Sequence, residues 1–331
     1  MMKKLSILVV LVILFGSLWY WIDSNHDAEV KKSRAEEATK ALRFVRSLPM
    51  PKIEFVNKLI LEKRFDEFEK MSKKYESDFK KDPLFESQLY KLYDAIDSIP
   101  ELEKPLKKWV KKKPSYMSYC ALGTYYAHKG YETRLAEHVE SASMKSSPKV
   151  KKLYSSANSY LRKSIKDNSS FTPAYCKLIY AENTCGNIDE ILKIHNDAIE
   201  LVPKSFYVRA VYLNSLVPKW GGTYDKMDSY LKTINYDQLN NARVWSLQGL
   251  VSREKGSTAY LDKKYSESIE YYNEALSYGD DMYVYQWRGN AYWKIKKLEK
   301  ALADLRKYYE YNKENKRVQK QIEYLSAKFD S

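Results

Sequence analysis

The sequence predicts an all-α fold of helical hairpins set in a row. Three observations carry that reading. Residues 282–309 hold two amphipathic helices joined at Ile295–Glu299, with small residues (Gly289, Ala301) where two helices touch and large ones (Tyr285, Tyr292, Leu305, Tyr308) filling the gaps. Pro173–Pro203 repeats that organisation over the length of one hairpin unit. Only 10 Gly and 10 Pro occur in 331 residues, which suits long helices and short turns. A lone hairpin cannot bury its apolar face, so it needs neighbours along the chain.

The chain opens with an uncharged apolar run, Leu5–Ile22, behind Lys3 and Lys4. It is long enough to span a bilayer core, and Trp19, Tyr20 and Trp21 sit where amphipathic rings favour the interface. Residues 1–22 are therefore read as a signal anchor or transmembrane helix. The leading lysines favour a cytoplasmic N-terminus, with the body periplasmic or extracellular. The alternative is a cleaved signal peptide and a secreted or periplasmic body, against which the cleavage pattern is poor. Residues 23–48 mix both charge signs among helix formers and read as a solvated juxtamembrane linker helix.

Pro49 and Pro51 open an N-terminal helical region, 49–114. Helices are predicted over Lys52–Glu62, Phe65–Phe79, Phe85–Ile99 and Leu102–Val110, with Asp82-Pro83 as a break and Lys111–Lys113 at a helix end, where cations suit the dipole. From 115 to 331 the hairpin array runs to a capping helix. Ser115–Ala127 carries Tyr119, Leu122, Gly123 and Tyr126, and residues 131–150 read as an insert ahead of Ala157, Leu161 and Ser164. Further units follow at Tyr207–Leu216, at Trp245–Ala275 and at 282–309. In Lys316–Phe329, Val318, Ile322 and Leu325 form one apolar side of a solubilising cap. Pro218-Lys219-Trp220-Gly221-Gly222-Thr223-Tyr224 interrupts the array. Adjacent glycines permit positive φ or close backbone approach, so this is either a rigid turn or a ligand-facing loop.

The order Gly289, Tyr292, Ala301, Leu305 resembles one tetratricopeptide (TPR) unit. More broadly, Arg64-Phe65-Asp66-Glu67, Leu122-Gly123-Thr124-Tyr125-Tyr126, the 218–224 segment and Tyr278-Gly279-Asp280-Asp281 resemble an uncharacterised bacterial domain-of-unknown-function family with TPR-like repeats. That resemblance implies a fold, a right-handed superhelix of the hairpins, and no activity.

The net charge is +14, yet only 12 of the 57 basic residues are Arg and the lysines are interspersed with acids. This fits a solvated basic surface, and nucleic-acid recognition motifs are absent. Cys120, Cys176 and Cys185 read as small core residues, with pairing of Cys176 and Cys185 across a turn as the alternative. No phosphate-binding glycine loop, metal-ligand spacing or acid–base pair persuades, so neither a cofactor nor catalysis is expected. His128 and His138 fit no common ligand set, and His195 reads as a packed core histidine. What remains is recognition on a concave face. Off the packed side of 282–309 stand Tyr283, Gln286, Asn290 and Trp293. The TPR resemblance implies that Asn290, next to Gly289, bonds a peptide backbone, although Gln286 stands where carboxylate-gripping relatives carry Lys. These four residues, with Trp220, Gly221 and Gly222, are the candidate partner-binding residues. The reading is a membrane-anchored scaffold for a protein or peptide partner, with an anionic envelope polymer or lipid head groups as the alternative ligand.

Overall fold

A computed structural model describes residues 27–140, 147–185 and 187–328, without the side chains of 138–140 and 185. The apolar run at 5–22 lies outside them. Among the described residues there is no strand, and no helix is long and apolar enough to cross a membrane. The chain divides at Leu42/Arg43 and at Val244/Trp245 into two compact units.

A helix over 27–47 (α1) gives its residues up to Leu42 to one unit and the rest to the other. The unit from Arg43 to Val244 then contains α2 (Ile53–Leu61), α3 (Phe65–Lys81), α4 (Glu86–Asp94), α5 (Glu103–Lys112), α6 (Tyr116–Glu140) and α7 (Pro148–Asp167). It continues with α8 (Thr172–Cys185), α9 (Ile188–Leu201), α10 (Phe206–Ser215) and α11 (Tyr224–Lys232). Most consecutive helices pair, most extensively α6 with α7. Gly123 lets that pair approach closely: a Cβ there would stand 2.7 Å from Leu161 Cγ. Trp109, Tyr93 and Phe68 fill the start of the core, with Phe68 edge-on to Trp109 at 5.2 Å and to Tyr93 at 5.4 Å.

Two expectations change here. The helix predicted over Phe85–Ile99 stops at Asp94. The chain beyond it is held by other elements: Ile96 O accepts from His128 Nδ1 at 2.7 Å, and Asp97 N donates to Asn57 Oδ1 at 3.1 Å. Pro100 also disfavours a helical Ile99. The insert predicted from 131 begins as a continuation of α6, which runs unbroken to Glu140.

The other unit takes 27–42 of α1 and a 3-10 run, Ala242–Gly249, shared across the division. To these it adds α12 (Leu250–Leu261), α13 (Tyr265–Leu276), α14 (Met282–Lys294), α15 (Leu298–Tyr311) and α16 (Lys316–Ala327). Here the small-large-small-large order is realised. Gly289 and Ala301 are buried at the α14–α15 contact, and Leu305 and Tyr308 close over them. A Cβ on Gly289 would meet Leu305 Cγ at 3.1 Å. Val318 and Leu325 of α16 are fully buried against the same cluster, with Ile322 beside them, as the cap requires.

Three hairpin turns share one geometry. Lys63, Lys263 and Lys296 adopt φ of 58°, 61° and 61°. The next residue's N–H reaches back five residues, from Arg64 to Leu59, Lys264 to Ala259 and Lys297 to Tyr292, each at 2.9 Å. This 6→1 closure satisfies carbonyls that the helix end would leave unpaired. An aromatic or leucine (Phe65, Tyr265, Leu298) then starts the returning helix. The repeat is thus present in backbone geometry as well as in side-chain size, and the hairpins are TPR-like.

The charged segment expected to be solvated is solvated on one face only. Ala38 is fully buried and Ala41 nearly so. Asp280 N donates to Thr39 Oγ1 at 3.1 Å, Lys31 Nζ lies 3.9 Å above the Tyr278 ring, and Arg34 stacks over Trp245 at 4.9 Å. Two alanines in a charged run make a weak periodic signal, which is why the burial was not legible in the sequence.

Candidate functional site

The unit containing α12–α16 bears a groove of about 880 Å³. Tyr260 on α12, Gln286, Asn290 and Trp293 on α14, Leu298 on α15 and Gln321 on α16 line it, all half-buried. Exposed Trp287, Lys294, Lys296, Arg317 and Lys328 surround them. The groove continues over Tyr324, with Lys316 and Lys320 alongside.

Helical spacing explains the lining. Residues 286, 290 and 293 fall on one stripe of α14, and 317, 321, 324 and 328 on one stripe of the last helix and its end. The neighbouring stripe of α16, with Val318, Ile322 and Leu325, is its buried side, and the lining stripe beside it is left open. The rings are ordered by each other. Trp293 stacks on Tyr324 with centroids 5.7 Å apart and planes 15° off parallel, and Trp287 meets Tyr260 edge-on at 5.1 Å. Burial raises the Tyr260 phenol above its usual range, and the positive charge of Arg317 pulls against that.

The polar floor is incompletely paired from within. Gln321 Nε2 donates to Asn290 Oδ1 at a long 3.4 Å, while Gln286 has no hydrogen-bond partner among the described residues. An amide offers two donors and an acceptor, the complement of an extended backbone. Among the described residues, no carboxylate lines the groove.

Of the candidate residues, Gln286, Asn290 and Trp293 are brought together here. Tyr283 is not: it lies on the same helix, 54% exposed, outside the lining. Trp220, Gly221 and Gly222 belong to the other unit. Gly221 has φ 89°, and a Cβ on Gly222 would fall 1.9 Å from Leu216 O. The turn itself therefore accounts for both glycines. Trp220 is half-buried, with the Arg134 guanidinium 6.0 Å from its ring. The sequence reading missed Tyr260, Trp287, Arg317, Gln321 and Tyr324. For the last three the available signal was the polar-aromatic stripe beside Val318, Ile322 and Leu325.

The two histidines whose side chains are described, His128 and His195, serve the fold. His128 donates through Nδ1 to Ile96 O and accepts at Nε2 from Lys177 Nζ at 3.1 Å. Burial and the Lys177 charge lower it to about 4. Lys177, itself buried, also donates to Asp94 at 2.6 Å. His195 is the packed core residue its helix position predicts, 5% exposed. The side chain of His138 is outside the described set. Cys120 and Cys176 are buried free thiols, both pushed up by desolvation and so far from thiolate reactivity.

No protein-family model matches the chain, and no curated protein matches it. Solved structures similar to it include the APC/C hetero-tetramer Cut9-Hcn1, at 16% identity and TM-score 0.39 over 80% of this chain and 47% of that one. Another is TTC0263, a thermophilic TPR protein of Thermus thermophilus, at 13% identity and TM-score 0.32 over 62% and 99%. This chain thus spans less than half of the Cut9-Hcn1 chain. The paired helices, the small-residue contacts and the shared turn define the class from within: an all-α protein of TPR-like helical hairpins.

Proposed function

We propose that the protein is a non-catalytic scaffold that holds a polypeptide partner in the α12–α14–α16 groove. One observation carries this reading: amides and rings converge on an open groove, half-buried and incompletely satisfied by their own chain. A surface of that kind stabilises a ligand backbone through amide hydrogen bonds and ligand side chains through ring contacts. Elsewhere, buried Lys177 and half-buried Asp94 and His128 are spent on one another.

The reading includes a place in the cell. The apolar run 5–22 and the lysines before it support a single-pass anchor with the body outside the cytoplasm, or a secreted body if the segment is cleaved. Stacking of the hairpins into a right-handed superhelix and kinship with the uncharacterised bacterial family complete the proposal. A photo-crosslinking residue at Trp287, in membranes of the native organism, is expected to capture one protein, with capture lost in a Trp293→Ala background. Capture unaffected by Trp293→Ala would overturn the groove as the binding surface. A cysteine at Ser331 is expected to react with an impermeant reagent in intact cells, and labelling only after lysis would overturn the location.

A further inference from the structure

We infer that the groove selects an internal, acidic stretch of an extended polypeptide. This rests on the scaffold reading above and names the chemistry of its ligand. The argument is the radial sorting of the lining. Its half-buried residues are neutral: Gln286, Asn290, Gln321 and the rings of Trp293 and Tyr260. Its cations are all exposed: Lys294 and Lys296 come from the end of α14 and its turn, and Arg317 and Lys328 from the last helix.

A chain terminus places a full carboxylate charge on the backbone itself. Bound deep, that charge would need a cation at the floor, where this groove presents amides. An internal backbone is neutral and dipolar, which is what amides match. Acidic side chains projecting from such a backbone would reach the rim, where, among the described residues, every ionisable group lining the 880 Å³ groove except the Tyr260 phenol is a base. Apolar ligand side chains between them would meet the Trp293–Tyr324 stack and Trp287. The rim charges are solvated, so they speed encounter and reject basic segments more than they hold the complex. Affinity is assigned to the rings and amides.

The test uses the full chain in detergent and short fluorescent peptides read by anisotropy. The first has Glu alternating with Phe and Leu, acetylated and amidated at its ends. The second is the same with a free carboxyl terminus, and the third has Lys for every Glu. A fluorescent anionic polysaccharide, polygalacturonate, is the fourth probe. The blocked and free acidic peptides are expected to bind within threefold of each other, and the Lys peptide at least thirtyfold more weakly. Trp293→Ala should weaken the acidic peptides at least tenfold and Arg317→Glu at least threefold, with unchanged circular dichroism. Tenfold preference for the free terminus would overturn the internal-segment inference. Equal binding of the Lys peptide would overturn the acidic one, and in both cases peptide binding lost with Trp293 leaves the scaffold reading standing. Binding of polygalacturonate alone, insensitive to Trp293→Ala, would overturn both in favour of a charged-polymer surface. If no probe binds while the Trp287 crosslink still captures a partner, a captured segment that is neutral or basic sinks the inference alone.

Discussion

Two places in the molecule concentrate polar groups, and they dispose of them in opposite ways. Between α4 and the start of α10, Glu86 is fully buried and closed on all sides. One oxygen accepts from Ser205 Oγ, and the other from Phe206 N at 2.8 Å and Tyr207 N at 3.2 Å. Ser205 in turn accepts from Val208 N at 3.1 Å. The Ser205 hydroxyl thus caps α10 from its own N-cap position, and the Glu86 carboxylate adds to it from a helix more than a hundred residues earlier, where the dipole favours negative charge. In the groove over α14, amides of similar capacity remain open. Polar groups that satisfy one another specify the fold, and those left at a concave surface are available to a ligand.

The largest effect follows from the closed site. Glu86→Ala strands three donors in the core, at roughly 1–3 kcal/mol for an unsatisfied buried group, so a loss of about 3 kcal/mol or more is expected. Glu86→Gln keeps an acceptor for the backbone N–H groups and should lose less than half as much. Urea midpoints decide it. Equal losses would mean that the negative charge at the helix terminus, rather than hydrogen-bond satisfaction, holds α10 in place.

How much of this contrast the chain announces in advance depends on distance along it. The hairpin at 282–309 was legible because its contacts join residues within one unit of the repeat: Gly289 meets Leu305, and Asp281 accepts from Tyr283 N at 2.8 Å. His195 was legible because its helix neighbours Ile191 and Ala198 place it on the buried side. Glu86 was not: its partners lie about 120 residues away, and nothing local distinguishes it from a first-turn glutamate. The docking of α1 on Tyr278-Gly279-Asp280 failed for the same reason, its hydrogen bond joining residues 241 positions apart. The groove was half legible. The α14 stripe stood out, but only packing shows that the polar side of the capping helix faces it.

The second expectation tests the closed side by pH. His195 Nδ1 donates to Asn196 Oδ1 at 3.1 Å, and Nε2 accepts from Tyr230 O–H at 2.9 Å, so the ring is held neutral. Burial lowers it from its usual 6.5 to about 4, aided by the Arg209 charge and opposed by the Asn196 hydrogen bond. Above pH 6.5 both folded and unfolded forms are neutral and its contribution is fully present. Between 6.5 and 4 the unfolded chain takes up the proton first, so stability is lost as pH falls. At about 1.4 kcal/mol per pH unit the loss approaches 3 kcal/mol. His195→Gln is expected to flatten the fall in urea midpoint between pH 7 and 4.5. An undiminished slope would assign the acid sensitivity to the other buried groups.

The smallest expected change in stability belongs to the open site, and smallness is its point. The Gln286 side chain forms no hydrogen bond among the described residues, so Gln286→Ala removes an amide left to solvent in the free protein. A surface change of this kind falls within about 0.5 kcal/mol, and better helix propensity at an interior α14 position pushes toward slight stabilisation. Trp293→Ala should cost more, about 1 kcal/mol, because the stack on Tyr324 and part of the packing under α16 go with it. If Gln286→Ala instead cost as much as an altered Glu86, the amide would be part of the chain's own hydrogen-bonding and the division between closed and open sites would fail. Thermal and urea midpoints of the two groove variants beside Glu86→Gln read all three on one scale.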